Sequence, residues 1–132
     1  MTNDLSNYHS PVTELFPAPE TLEGWEACRL SDEQVAFYEE NGYVAGVRLL
    51  DEEQLEALRA ELSELMNPQD ERRGLWYEFH SNESTDPARV LFHALGAWRL
   101  APAFHDLLWN PRFTVPASRW KSAPHAGQWC LT

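Results

Sequence analysis

Cysteine is nearly missing from this chain. Cys28 and Cys130 are the only two in 132 residues, too few for a disulfide framework and without the paired spacing of a zinc knuckle. That shortage suits a reducing compartment, and a cytoplasmic location is expected. Long apolar runs are missing too. No stretch approaches the roughly 20 apolar residues that cross a bilayer, and the N-terminal region has no signal-like apolar run behind a basic start. No membrane partner is expected. Basic charge is scarce, since ten Lys and Arg stand against 21 Asp and Glu for a formal charge of -11. Such a field repels phosphate backbones, so no nucleic-acid partner is expected. A Gly-rich phosphate loop, a Gly-X-Ser-X-Gly elbow and a Cys-X-X-Cys pair are all absent. Cys28 has no base near it in sequence to make it a nucleophile.

What is present fits one domain with a modest core: 43% of residues are hydrophobic and 12% aromatic. Met1 to Gly24 is polar and broken by Pro11, Pro17 and Pro19, which predicts a loose arm, with residues 1–29 set apart as a flexible segment. Leu15 and Phe16 in that arm are read as scattered apolar residues and not as an anchor. Ordered grammar begins at Leu30. Ser31 and Gln34 are spaced as a capping box, Leu30 and Val35 as a hydrophobic staple, and Val35, Phe37 and Tyr38 supply the contacts of a short helix. Asn41-Gly42 stops it, and the β-prone run Tyr43 to Val47 is expected to leave as a strand.

The same grammar returns with Asp51 as cap, Gln54 at the reciprocal position, and Leu50 and Leu55 as staple. Leu55, Leu58, Leu62 and Leu65 then recur at spacings of three, four and three, the stripe of an amphipathic helix. Asn67-Pro68 ends that helix. The acids Asp51, Glu52 and Glu53 sit at a helix start, where they suit the macrodipole and are read as solvated, not as a cation site. A charged connector follows to Gly74, then a short aromatic strand over 75–80 and a turn-rich loop over 81–87. Val90 to Leu100 fits helix and strand about equally. Pro102 opens a helix with Phe104, Leu107 and Leu108 on one side, closed by Asn110-Pro111, and a further helical turn follows until Pro116 weakens it. The fold class is therefore mainly α with a few short strands, α+β.

Two runs carry a resemblance. FYEENGYV followed by LLDEEQLEALRAEL, within Leu30 to Leu62, looks like the N-terminal region of the phytanoyl-CoA dioxygenase family, and HALGAWRLAPAFHDLLWNPRF, His93 to Phe113, is similar to the segment preceding the catalytic barrel in its bacterial members. Together they cover most of Leu30 to Ser118. The resemblance implies a dioxygenase that uses Fe(II) and 2-oxoglutarate to hydroxylate a small organic substrate. It also implies a double-stranded β-helix, or jelly roll, with these helices packed outside it. Trp76, Trp98 and Trp109 would then pack helices onto the barrel. Residues 30–118 are read as this helical flank and residues 119–132 as an atypical tail.

The family's iron site is a His-X-Asp pair plus a distant His, a spacing that puts residues i and i+2 of a strand on one face. Two places beyond His9, His80, His93, His105 and His125 stand Pro11, Asn82, Leu95, Leu107 and Gly127. None is a carboxylate. His105-Asp106 is adjacent, and is expected on the Pro102 helix as a solvated polar pair. His80 and His93 can meet across a hairpin, but no carboxylate at metal-ligand spacing is seen to support them, and they are read as ordinary loop and helix histidines. An eight-strand barrel at five to six residues a strand needs most of about a hundred residues, whereas 66 follow Met66. The barrel is therefore expected to be largely absent, through an early stop or shifted frame near Ser118. No catalytic, cofactor-binding or metal-binding residue is assigned, no cofactor is expected for the chain, and by itself it is expected to be inactive. The alternative is a non-catalytic acidic helical module that binds a protein partner, or itself, through exposed apolar surface.

Overall fold

The computed structural model describes residues 3–67 and 69–119. Readings that concern His125, Cys130 and the rest of the tail lie outside the described residues. In chain order the elements are helices α1 (Leu22–Glu26), α2 (Asp32–Asn41) and α3 (Glu52–Leu65), strands β1 (Glu78–His80) and β2 (His93–Leu95), and helices α4 (Pro102–Leu107) and α5 (Pro111–Arg119). Single 3-10 turns occupy Leu5–Asn7, Glu71–Leu75 and Ala97–Arg99. Helices with one two-stranded antiparallel sheet agree with the α+β class. Among the described residues no helix is long and apolar enough to cross a membrane.

The chain forms two compact units, one from residues 3–16 and 52–109, the other from 17–51 and 110–119. In the second unit α2 starts as its residues dictate. The Ser31 hydroxyl accepts the Gln34 N–H at 3.1 Å while the Gln34 side chain accepts the Ser31 N–H at 2.9 Å. Gly42 ends the helix at φ +78°, its N–H returning to the Tyr38 carbonyl. The expected strand over Tyr43 to Val47 is not formed. Gly46 sits at φ +76°, a left-handed value that breaks an extended run, so the β-prone side chains around it have no continuous strand to occupy. Asn110 is buried and bonds in both directions: its amide donates to the Leu49 carbonyl at 3.2 Å and its side-chain oxygen accepts the Arg112 N–H at 3.0 Å. That cap starts α5, which runs on through Pro116 instead of being stopped by it.

The first unit centres on Leu65, Leu100 and Ala101, with Leu75, Trp76, Ala97 and Phe104 packed around them. The leucine stripe of α3 is thus buried at its C-terminal end only. Leu65 is 1% exposed and Leu62 37%. α4 lacks a side-chain cap of its own. Glu61 of α3 supplies one from outside, its carboxylate accepting the N–H groups of Ala103 at 2.9 and 3.0 Å and of Phe104 at 3.3 Å. A negative charge there also suits the positive end of the helix dipole. Of the expected Phe104, Leu107 and Leu108 side of α4, Phe104 packs on the Leu65 core and Leu107 is half-buried, whereas Leu108 is exposed; the fully buried residues of the helix are Ala103, His105 and Asp106.

The uneven burial of the stripe, with Leu55 and Leu58 half-buried between exposed and buried extremes at Leu62 and Leu65, predicts unequal costs. Leu65→Ala should destabilise by about 2–5 kcal/mol through lost burial and a residual cavity, and Leu62→Ala by less than about 1 kcal/mol. Urea unfolding followed by circular dichroism checks the pair, and equal midpoints for the two variants would remove Leu65 from the core.

Candidate functional site

Two histidine clusters lie in the first unit, and they differ in every physical respect. The first is His105 and Asp106 on α4. They share the Pro102 helix as expected, but the solvated pair foreseen from sequence is wholly buried, at 2% and 0% exposure. The reason is the N-terminal segment. Asp106 Oδ1 accepts the Val12 N–H at 2.9 Å, Oδ2 accepts the Thr13 N–H at 2.6 Å and the Thr13 hydroxyl, and His105 Nδ1 lies 2.8 Å from Oδ1. His105 Nε2 faces the Tyr8 carbonyl at 3.4 Å. An ionised carboxylate offers about four lone-pair positions, and here all are taken. Burial pushes the Asp106 carboxyl up, but the hydrogen bonds from Thr13, His105 and Val12 outweigh it and hold the group below the usual range.

Other ties hold the same segment. Asp4 pairs with Arg99, whose other guanidinium nitrogen donates to the Leu75 carbonyl at 2.9 Å. Gln54 donates to the Leu15 carbonyl at 3.0 Å. Leu5 and Phe16 are buried. Residues 3–16, expected as part of a loose arm without an anchor, are therefore bonded along their length to side chains 39 to 97 positions away.

The second cluster is on the hairpin. β1 and β2 pair antiparallel with His80 directly opposite His93 and Glu78 opposite Leu95. The two imidazole centroids are 5.7 Å apart. Glu78 Oε1 lies 3.0 Å from His80 Nε2, and Glu83 Oε2 lies 2.8 Å from His93 Nδ1. The reading that no carboxylate at metal-ligand spacing supports these histidines does not hold for His80: Glu78 stands two places before it on the same strand face, and the i−2 position shares a face just as i+2 does.

Neither cluster fits the family's iron. His105 and Asp106 have no free lone pairs facing an open position, and among the described residues no three His, Cys, Asp or Glu side chains stand grouped to hold a metal ion. Cys28 is a free thiol bonded weakly to the Gly24 carbonyl at 3.4 Å. Of the aromatic residues expected to face a barrel, Trp76 packs beside the Leu65 core, Trp98 is half-buried and Trp109 is largely exposed. The chain matches no protein-family model and no curated protein.

The Asp106 clasp makes stability depend on acid. The folded carboxyl sits below its ordinary value of 3.8, so as pH falls the unfolded chain takes up its proton first. The stabilisation is complete above that value and is lost as pH drops through the folded one. Asp106→Asn should cost about 2–3 kcal/mol at neutral pH and flatten the acid limb of a stability-versus-pH curve. Thr13→Val should cost about 1 kcal/mol. An Asn variant whose acid limb is as steep as that of the parent would show that other carboxylates carry it.

Proposed function

We propose that this chain is the helical flank of a phytanoyl-CoA dioxygenase-type fold, contributing scaffold outside a jelly-roll barrel and no iron site of its own. The observation that carries the reading is the order of the two runs that resemble the family. FYEENGYV with LLDEEQLEALRAEL precedes HALGAWRLAPAFHDLLWNPRF, and between them they supply α2, α3, β2 and α4. The donor chemistry supports the second half of the proposal, since the sequence has no His-X-Asp pair and the buried carboxylate of α4 is fully committed to Val12, Thr13 and His105. A cytoplasmic location belongs to the same reading.

Scaffold helices of this kind expose apolar surface. Leu62 and Met66 on and just after α3, and Leu108 and Trp109 at the end of α4, are 37 to 53% exposed. A second reading, an acidic module that associates through such surface, draws on the same residues.

With Fe(II), ascorbate and 2-oxoglutarate, the purified chain should release no succinate above a protein-free control, and clear turnover would overturn the scaffold reading. Translating the encoding DNA past the Ser118 codon in all three frames should show a strand with His-X-Asp, and its absence would sink the family assignment. Sedimentation velocity should show self-association that Leu62→Asp reduces; a monomer that binds no hydrophobic dye would remove the association reading.

A further inference from the structure

The open face of the β1–β2 hairpin places three potential ligands together. Residues i and i+2 of a strand share a face, as do residues directly opposite on an antiparallel partner. Glu78, His80 and His93 meet both conditions. We propose that this face binds a divalent transition-metal ion of imidazole preference, Zn²⁺, Ni²⁺ or Cu²⁺, through His80, His93 and Glu78.

Glu78 Oε1 and His80 Nε2 are hydrogen-bonded at 3.0 Å, close to the separation of about 3 to 3.4 Å between two donors on one metal at 2.0–2.2 Å, so an ion enters by displacing the imidazole proton between them. Two imidazoles on one ion keep their ring centres about 5 to 6 Å apart, and these are at 5.7 Å. His93 is oriented from behind: Glu83 accepts from its Nδ1 at 2.8 Å, which leaves Nε2 as the lone-pair nitrogen. A carboxylate that fixes the tautomer of a ligating histidine in this way raises its basicity.

Glu83 is itself held. Its N–H donates to the Leu91 carbonyl at 2.8 Å, and the neighbouring Asn82 side chain accepts the Ser84 and Leu91 N–H groups at 2.9 Å, so the twelve-residue connection between the strands is tied near its base. Behind the face, Phe79 packs on Trp76 and Phe92 with ring centroids 5.6 and 5.5 Å away, which fixes the strand that carries Glu78 and His80.

As they stand the donors form two His–Glu pairs and not a converged triad. The side chains of Glu78, His80, Glu83 and His93 are 38 to 46% exposed, so the rotation that the proposal requires of them disturbs no core. Water reaches the face, no wall enforces a geometry, and selectivity follows intrinsic affinity. Copper, nickel and zinc are then favoured over iron, so this is not an oxygenase centre.

Calorimetric titration of the full chain with ZnCl₂ at neutral pH should give one saturable site. His80→Gln and His93→Gln should each weaken it at least tenfold, and Glu83→Gln by about tenfold through loss of its support to His93. Far-UV circular dichroism confirms that each variant keeps the parent fold, and Cys28→Ser should leave zinc binding unchanged. Under substoichiometric NiCl₂, the ring resonances of His80 and His93 should broaden first. No saturable zinc binding, a change under threefold in both histidine variants, or broadening that begins at another histidine would each overturn the proposal.

Discussion

A carboxylate with no exposure to water must be neutralised or surrounded by donors, and Asp106 is surrounded. That requirement shapes the first unit. The donors come from Val12 and Thr13, so ionised Asp106 on α4 can exist only with residues 3–16 laid across it. Hydrogen bonds to a charged group contribute more than neutral ones and depend on direction. The segment is therefore fixed in register as well as attached.

The same economy recurs wherever an apolar core is too thin to do the work. Few large side chains are fully buried, and charged groups tie backbone to backbone instead. Glu61 caps α4. Arg72, paired with Asp70, donates to the Leu100 carbonyl at 3.1 Å. Arg99, paired with Asp4, donates to the Leu75 carbonyl. In each of these arginine ties one partner neutralises the charge and a backbone group receives the bond, so that burial of the ion is compensated. Asp70 is held below the ordinary carboxylate range by its bonds to Arg72, which outweigh its burial. Stability built this way leaves apolar side chains such as Tyr77, Leu108 and Trp109 outside.

Local features were legible in the sequence and distant ones were not. The Ser31–Gln34 box, the Gly42 stop, the start of α4 at Pro102 and the leucine stripe of α3 all follow from residues within a few positions of each other. The docking of Thr13 on Asp106 spans 93 positions and the Glu61 cap 42, and no periodicity announces either. The strand expected over Tyr43 to Val47 does not form because Gly46 adopts a left-handed φ, which the β propensity of its neighbours does not encode. Pro116 is the converse case: its missing N–H did not stop α5, which is already anchored at Asn110.

The two histidine clusters show why residue type alone does not define a site. His105 and Asp106 are the pair that stands out in the sequence, because they are adjacent and lie within the run His93 to Phe113. Folding spends their bonding capacity on residues 8–13, and nothing remains for a ligand. His80 and His93 read from the chain as possible hairpin partners without a supporting carboxylate, yet folding gives each of them one, Glu78 and Glu83 each holding a ring nitrogen at an exposed face. A donor bonded only to a partner that is itself a potential ligand can exchange that bond for a metal at small cost. A donor bonded to the backbone that it holds in place gives up the fold when it lets go. By that criterion the capacity to take a cation lies on the hairpin and not on α4.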